Sequence, residues 1–240
     1  MTAAPRILKG ILFDLDGVVA ETEDLHRRAY NLAFEEAGLT ARWSEKDYRD
    51  RLHLTGGSKL STVDLPPGVG SPDEFRESIY DRKRHYYLHL LKSEPLPARP
   101  GVVPLIQEAL NEKVSLGAAS TCAKEGAVAI LDRSIGLDLR SQFSALCAGD
   151  DVVRRKPAPD VYLAALRNMG LEAAECIAIE DTRHGLESAR SAGLCTLVTP
   201  SQYTLGDDFP AADKVVEDLA SGGVDLQYLE NLLLDSRNRS

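Results

Sequence analysis

Four acids draw attention by type and position. Asp14 and Asp16 follow the apolar run Ile7–Phe13, and Glu180 and Asp181 follow a later one, Cys176–Ile179. If the extended geometry of the first run persists, Asp14 and Asp16, two residues apart, point the same way. Neighbouring carboxylates repel unless a cation stands between them. Hard carboxylate oxygens without clustered His or Cys suit Mg²⁺, which is octahedral and keeps some of its waters. Asp-x-Asp-Gly is also an ordinary turn sequence, because Asp and Gly favour turns. The return of paired acids after a later apolar run weighs against a turn alone. Two other polar groups occupy comparable places. Ser120-Thr121 follows the run Val114–Ala119, and Lys156-Pro157 lies shortly after Gly149-Asp150-Asp151, which follows Phe143–Cys147.

The elements that must position these residues alternate. The spacing predicts helices over Val102–Asn111, Lys124–Arg133, Pro159–Met169 and Arg183–Ala192 between the strands, then a strand at Cys195–Thr199. A short strand near Val215-Val216 and a helix over Leu226–Leu234 close the chain. Continuous apolar strands alternating with helices predict an α/β fold, a doubly wound parallel sheet covered on both faces. In such sheets ligands bind beyond the carboxyl ends of the strands, where all of these polar groups fall. The stretch from about Glu21 to Leu96 breaks the rhythm. It carries helical spacing over Glu23–Ala37 and Pro72–Lys92, the second opening at Ser71-Pro72. It rejoins the strands through Pro95, Pro97 and Pro100. This predicts an inserted all-helical cap over 22–96 and an α/β core over 1–21 and 97–240.

Composition sets the outer bounds. The chain has 240 residues, 28 Lys+Arg against 37 Asp+Glu, and a formal charge of −9. An acidic chain is a poor generic binder of nucleic acid or anionic membrane, and neither is expected as a partner. A locally positive pocket for a small anion remains compatible with it. No run approaches the ~20 apolar residues of a membrane span. The short segment before the first strand leaves no room for a signal or transit peptide. Cys122, Cys147, Cys176 and Cys195 lie far apart beside apolar runs, which predicts buried thiols in a reducing compartment. The cytoplasm is expected, or a plastid stroma if a transit peptide has been removed.

Phe13-Asp14-Leu15-Asp16-Gly17-Val18, Ser120, Lys156-Pro157-x-Pro159-Asp160 and Glu180-Asp181 resemble, in order and spacing, the four motifs of the haloacid dehalogenase-like superfamily. Ala20-Glu21-Thr22-Glu23-Asp24-Leu25-His26-Arg27 and Thr55-Gly56-Gly57 are similar to its CbbY-type sugar-phosphate phosphatases. The resemblance implies a Rossmann-like core with a cap and a Mg²⁺-dependent phosphatase acting through an aspartyl-phosphate. It implies Asp14 as nucleophile and Asp16 as acid and base. Ser120 and Lys156 would bind the phosphoryl group, and Asp14, Asp16 (through its backbone carbonyl), Glu180 and Asp181 would hold the metal. It implies a small phosphorylated sugar as substrate, xylulose-1,5-bisphosphate first, and a monomer is expected. A β-phosphoglucomutase-like phosphosugar mutase would use the same Asp14 chemistry, and a non-catalytic phosphosugar sensor is a third reading.

The cap and its entry would supply specificity through Glu21, Glu23, His26, Arg27, Tyr48, Thr55, Gly56, Gly57 and Lys59, with Thr121 beside the phosphate. Gly56-Gly57 can bring backbone N–H groups close to an anion, or simply turn the chain between helices. Ser58 separates the Gly pair from Lys59, where the CbbY-type pattern usually has a basic residue at once. His85 and His89, four apart, read as an ordinary amphipathic helix rather than a zinc pair. Arg82-Lys83-Arg84 reads as a solvated face, and Arg154 and Arg155 as solvent-facing, although Arg155 could reach a second phosphate.

Overall fold

The computed structural model describes residues 6–54 and 56–239. Six strands form one parallel sheet in the order β3-β2-β1-β4-β5-β6. They are β1 (Gly10–Phe13), β2 (Ser115–Ala119), β3 (Ala145–Cys147), β4 (Cys176–Glu180), β5 (Cys195–Val198) and β6 (Lys214–Val215). Every residue of β1, β4 and β5 is buried, as expected of strands covered on both faces. The register runs Phe13 beside Ala118 on one side and beside Ile179 on the other. The carboxyl ends of the three central strands, β2, β1 and β4, therefore finish level with one another.

The chain divides into two compact units, one of residues 1–21 and 96–240, the other of residues 22–95. In the first, the strands are joined by α4 (Val102–Asn111), α5 (Lys124–Ser134), α6 (Leu137–Arg140), α7 (Asp160–Met169) and α8 (Arg183–Ser191), with α9 (Leu226–Arg239) last. α7 packs on β2 and β3, while α8 and α9 pack on β4 and β5. The second unit holds α1 (Glu23–Glu36), α2 (Glu45–Arg49), a 3-10 turn over Gly56–Thr62 and α3 (Pro72–Ser93), with α1 lying along α3.

Local chemistry explains where elements start and stop. Ser71 accepts a hydrogen bond from Glu74 N, and Pro72, which has no N–H to satisfy, opens α3. α2 has only five residues, too few to show a periodicity. It forms because Ser44 and Asp47 cap each other's backbone. β1 begins at Gly10 rather than Ile7, since the Ile7 N–H is drawn to the Glu230 side chain. α9 runs past Leu234 to Arg239 because its polar end is tied down. Ser236 and Arg239 bond Asp213, and Arg237 donates to the Ala174 carbonyl.

Candidate active site

The site lies in the α/β unit, at the carboxyl ends of the central strands. Asp14 N donates to the Ile179 carbonyl at 3.0 Å, so the ladder carries Asp14 one residue beyond β1. Ser120 N donates to the Cys147 carbonyl at 3.0 Å and Thr199 N to the Glu180 carbonyl at 2.8 Å. The groups that follow each strand are thus held by sheet hydrogen bonds before the loops begin. Asp14, Ser120, Lys156, Glu180 and Asp181 are all buried.

Lys156 is the positive centre. Its Nζ donates to Asp14 Oδ1 at 2.6 Å and to Glu180 Oε1 at 2.5 Å. Burial works against the Lys156 charge, but Asp14 and Glu180 more than offset it and its pKa is raised. For Asp14 burial dominates. It pushes the carboxyl up to about 8, with Lys156 pulling the other way and Glu180 and Asp16 adding repulsion. An ionised Asp14 in this site therefore calls for more positive charge than one ammonium provides.

The donor set fits a hard divalent cation. Asp14, Glu180 and Asp181 each offer a carboxylate oxygen within 4.8 Å of the others, and they are the one such cluster among the described residues. Two glycines make room for these carboxylates. Gly17 has φ +79°, and a Cβ there would lie 2.0 Å from Asp181 Oδ2. Gly185 would place a Cβ 1.8 Å from Glu180 Oε2 while its N–H caps α8 through Thr182 Oγ1. The Asp16 side chain lies outside this cluster of three. Its Oδ2 accepts from Ser120 Oγ at 3.3 Å, and Ser120 Oγ also accepts from Cys122 N at 3.2 Å. Half-buried Thr121 lies against the loop that follows β3, where a Cβ on Gly149 would approach the Thr121 carbonyl to 2.3 Å.

Glu21, a substrate candidate by sequence, is engaged within the same unit. It pairs with Arg99 Nε at 3.2 Å and accepts from Gln202 N. Arg99 also donates to the carbonyls of Gly17, Thr199 and Pro200, fastening the loop after β1 to the loop after β5. Arg155 is half-exposed and 3.9 Å from Asp150, while Arg154 pairs with Asp160.

The other candidates sit in the helical unit and form their own polar groups. Tyr48 donates to Glu23 Oε2 at 2.8 Å. Arg27 donates to Asp24 and to the Trp43 carbonyl. Lys59 is only 7 % exposed, donates to the Leu54 carbonyl and lies 5.7 Å from the Tyr48 ring centroid. Gly57 lies close under Tyr80, where a Cβ would come within 3.3 Å of the ring. Gly56 opens the 3-10 turn, and Thr55 lies outside the described residues.

The expected solvated face of Arg82-Lys83-Arg84 is corrected at its middle residue. Lys83 is 6 % exposed, with Nζ 2.7 Å from His26 Nδ1 and 4.9 Å from the Tyr87 ring centroid. Helical spacing explains it: Ile79, Lys83 and Tyr87, four apart, share the buried stripe of α3. A lysine ammonium can only donate, so His26 Nδ1 is the acceptor in this contact. His26 also stacks on Tyr87 at 3.7 Å. His85 and His89 are exposed, as the amphipathic reading expects. Cys147, Cys176 and Cys195 are buried as expected, but Cys122, beside the Ser120 loop, is half-buried.

Residues 8–193 match the family model described as haloacid dehalogenase-like hydrolase. The chain belongs to that family. It is 40% identical over 215 residues to the CbbY protein of Rhodobacter capsulatus, covering 89% of this chain and 95% of the relative. The crystal structure of CbbY from Rhodobacter sphaeroides in complex with phosphate aligns with a TM-score of 0.83. It is 33% identical, over 93% of this chain and 99% of the other. A mutant of that protein in complex with xylulose-1,5-bisphosphate aligns at 0.81 and 32% identity, over 91% of this chain and 100% of the other. Within the family the chain is of the CbbY type, an enzyme of the phosphatase class. Among the described residues no helix is long and apolar enough to cross a membrane.

Proposed function

We propose that the protein is a Mg²⁺-dependent phosphatase of a small phosphorylated sugar, with xylulose-1,5-bisphosphate the leading candidate. The observation that carries the reading is the buried carboxylate cluster of Asp14, Glu180 and Asp181 with Lys156 2.6 Å from Asp14. The sugar rests on the CbbY likeness and on the xylulose-1,5-bisphosphate complex of that relative.

Asp14 attacks phosphorus through a carboxylate oxygen, and the bond from phosphorus to the sugar oxygen breaks. Asp16 gives its proton to the departing sugar oxygen, which would otherwise leave as a poor alkoxide. Asp16 then takes a proton from water as that water attacks phosphorus, releasing phosphate and restoring the Asp14 carboxylate. Ser120 and Lys156 donate to the phosphoryl oxygens, with Thr121 beside them. Asp14, Glu180 and Asp181, with the Asp16 carbonyl, would hold Mg²⁺, whose charge would offset the repulsion between an anionic nucleophile and an anionic phosphate. Glu23, His26, Arg27, Tyr48, Thr55, Gly56, Gly57 and Lys59 select the sugar, with Glu21 at the entry to the cap.

The reading includes a monomer in a reducing compartment, cytoplasm or plastid stroma, which suits four free thiols. A phosphate-release screen over mono- and bisphosphorylated pentoses and hexoses tests it, with Asp14→Asn and Asp16→Asn as controls. Release that needs Mg²⁺ and both acids, and is fastest with a pentulose bisphosphate, is the expected result. Isomerised hexose phosphate without free phosphate would make the protein a mutase. A biological role that survives Asp14→Asn would make it a sensor.

A further inference from the structure

Tyr162 stands in the early part of α7 and is wholly buried. Its ring belongs to the apolar layer of Ala119, Cys176, Ala178 and Ala189, a place that Phe would fill as well. The hydroxyl therefore needs its own explanation. It donates to Glu180 Oε1 at 2.6 Å, the same oxygen that accepts from Lys156 Nζ at 2.5 Å. The Lys156 ammonium also lies 4.9 Å from the Tyr162 ring centroid. The second oxygen, Glu180 Oε2, accepts from Asp181 N at 3.3 Å and occupies the space that Gly185 leaves open. At 2.6 Å from a carboxylate oxygen the phenol is the donor.

One ammonium is shared between two carboxylates, and its position follows the balance of their pulls. The hydrogen bond from Tyr162 to Glu180 Oε1 satisfies part of that carboxylate's acceptor capacity, which Lys156 would otherwise have to meet alone. We propose that Tyr162 is a positioning residue: its hydroxyl fixes the Glu180 carboxylate, leaving Lys156 directed at Asp14 and holding Glu180 in the cluster it forms with Asp14 and Asp181. Without the hydroxyl, Lys156 alone serves Glu180 Oε1. The ammonium then moves toward Glu180, and the carboxylate loses the contact that sets its rotation. The catalytic part of this inference rests on the phosphatase reading above, while the metal part rests only on the carboxylate cluster.

Tyr162→Phe tests it, because the ring and its packing remain. Calorimetric titration of the substrate-free protein with Mg²⁺ is the first readout. Outer partners of metal ligands commonly matter about tenfold or more, and a loss of affinity of that size is expected. With para-nitrophenyl phosphate as substrate, kcat falls by about tenfold while KM changes by less than about twofold, since the group acts on the reacting centre. In the Glu180→Gln background the same substitution adds less than about twofold to the loss of Mg²⁺ affinity, because both act through one carboxylate. Thermal unfolding on the same samples gives the folded fraction, so effects are expressed per folded molecule. Wild-type Mg²⁺ affinity and kcat in Tyr162→Phe would overturn the proposal, as would full additivity with Glu180→Gln. A wild-type protein that binds Mg²⁺ but hydrolyses no phosphate ester would sink the phosphatase reading, and calorimetry would still decide the role of Tyr162.

Discussion

Both units bury ammonium groups, and Lys156 in one and Lys59 in the other, where Lys83 is buried too, are accommodated by opposite means. In the α/β unit Lys156 lies between the Asp14 and Glu180 carboxylates, and its charge is strengthened. In the helical unit Lys59 is just as buried but donates to a backbone carbonyl, faces the Tyr48 ring and has its pKa lowered by burial. The first arrangement makes the lysine indispensable to its neighbours, since removing it leaves carboxylates buried without a counter-charge. The second leaves the lysine as the group under stress. A buried charge is costly in both places, but only in the α/β unit is the cost shared with groups that can do chemistry.

Substitutions should separate the two arrangements sharply. The largest effect belongs to Asp14→Asn, which removes the proposed nucleophile and should lower phosphate release by about 10⁴-fold or more. Asp16→Asn keeps the shape but loses the proposed acid and base, and steady-state turnover should fall by about 10²–10⁴-fold. Lys156→Met should cost about 10²–10³-fold in kcat through lost charge stabilisation. It should also cost about 3–5 kcal/mol in denaturant unfolding, because Asp14 and Glu180 are left facing each other.

Smaller effects follow where the perturbation is steric or confined to the helical unit. In Gly185→Ala the new Cβ meets the Glu180 carboxylate, and overpacking of that kind costs about 1–3 kcal/mol. Its Mg²⁺ affinity, read by calorimetry, should fall with it. Lys59→Met should change unfolding free energy by less than about 1 kcal/mol, since an apolar side chain replaces a poorly compensated charge. The pH dependence gives the sign. With a folded pKa below the unfolded 10.5, the unfolded state binds more protons in the interval between the two values. Stability contributed by this group therefore rises as pH climbs through that interval. Lys59→Met should abolish that alkaline gain, whereas Lys156→Met should not reproduce it.

Much of this contrast is legible in the chain. Asp14 and Ser120 each follow an apolar strand and Glu180 ends one, and parallel pairing with a shared register must bring strand ends level. The helical unit is less legible, because its polar residues are brought together by helix packing rather than by a sheet ladder. Lys83 reads as part of a basic surface run until the stripe of Ile79 and Tyr87 is laid on a helix. Tyr162 looks like core and is core; only its hydroxyl is functional, and no spacing rule marks a hydroxyl that points at Glu180. Arg99 lies within the Pro-rich stretch, and its role as a clamp on three carbonyls depends wholly on tertiary placement. Gly17 and Gly185 were visible as residues, but not as the room left for two carboxylates.

The central claim is that Asp14 carries the phosphoryl group during turnover. The direct measurement is acid quench of the protein during turnover of a phosphorylated pentose with Mg²⁺, followed by peptide mass spectrometry. A phosphoryl group on the peptide that contains Asp14, removed by hydroxylamine as an acyl phosphate must be, and absent from Asp14→Asn, is the predicted result. Undiminished turnover by Asp14→Asn, or a phosphoryl group found on another residue, would contradict the account.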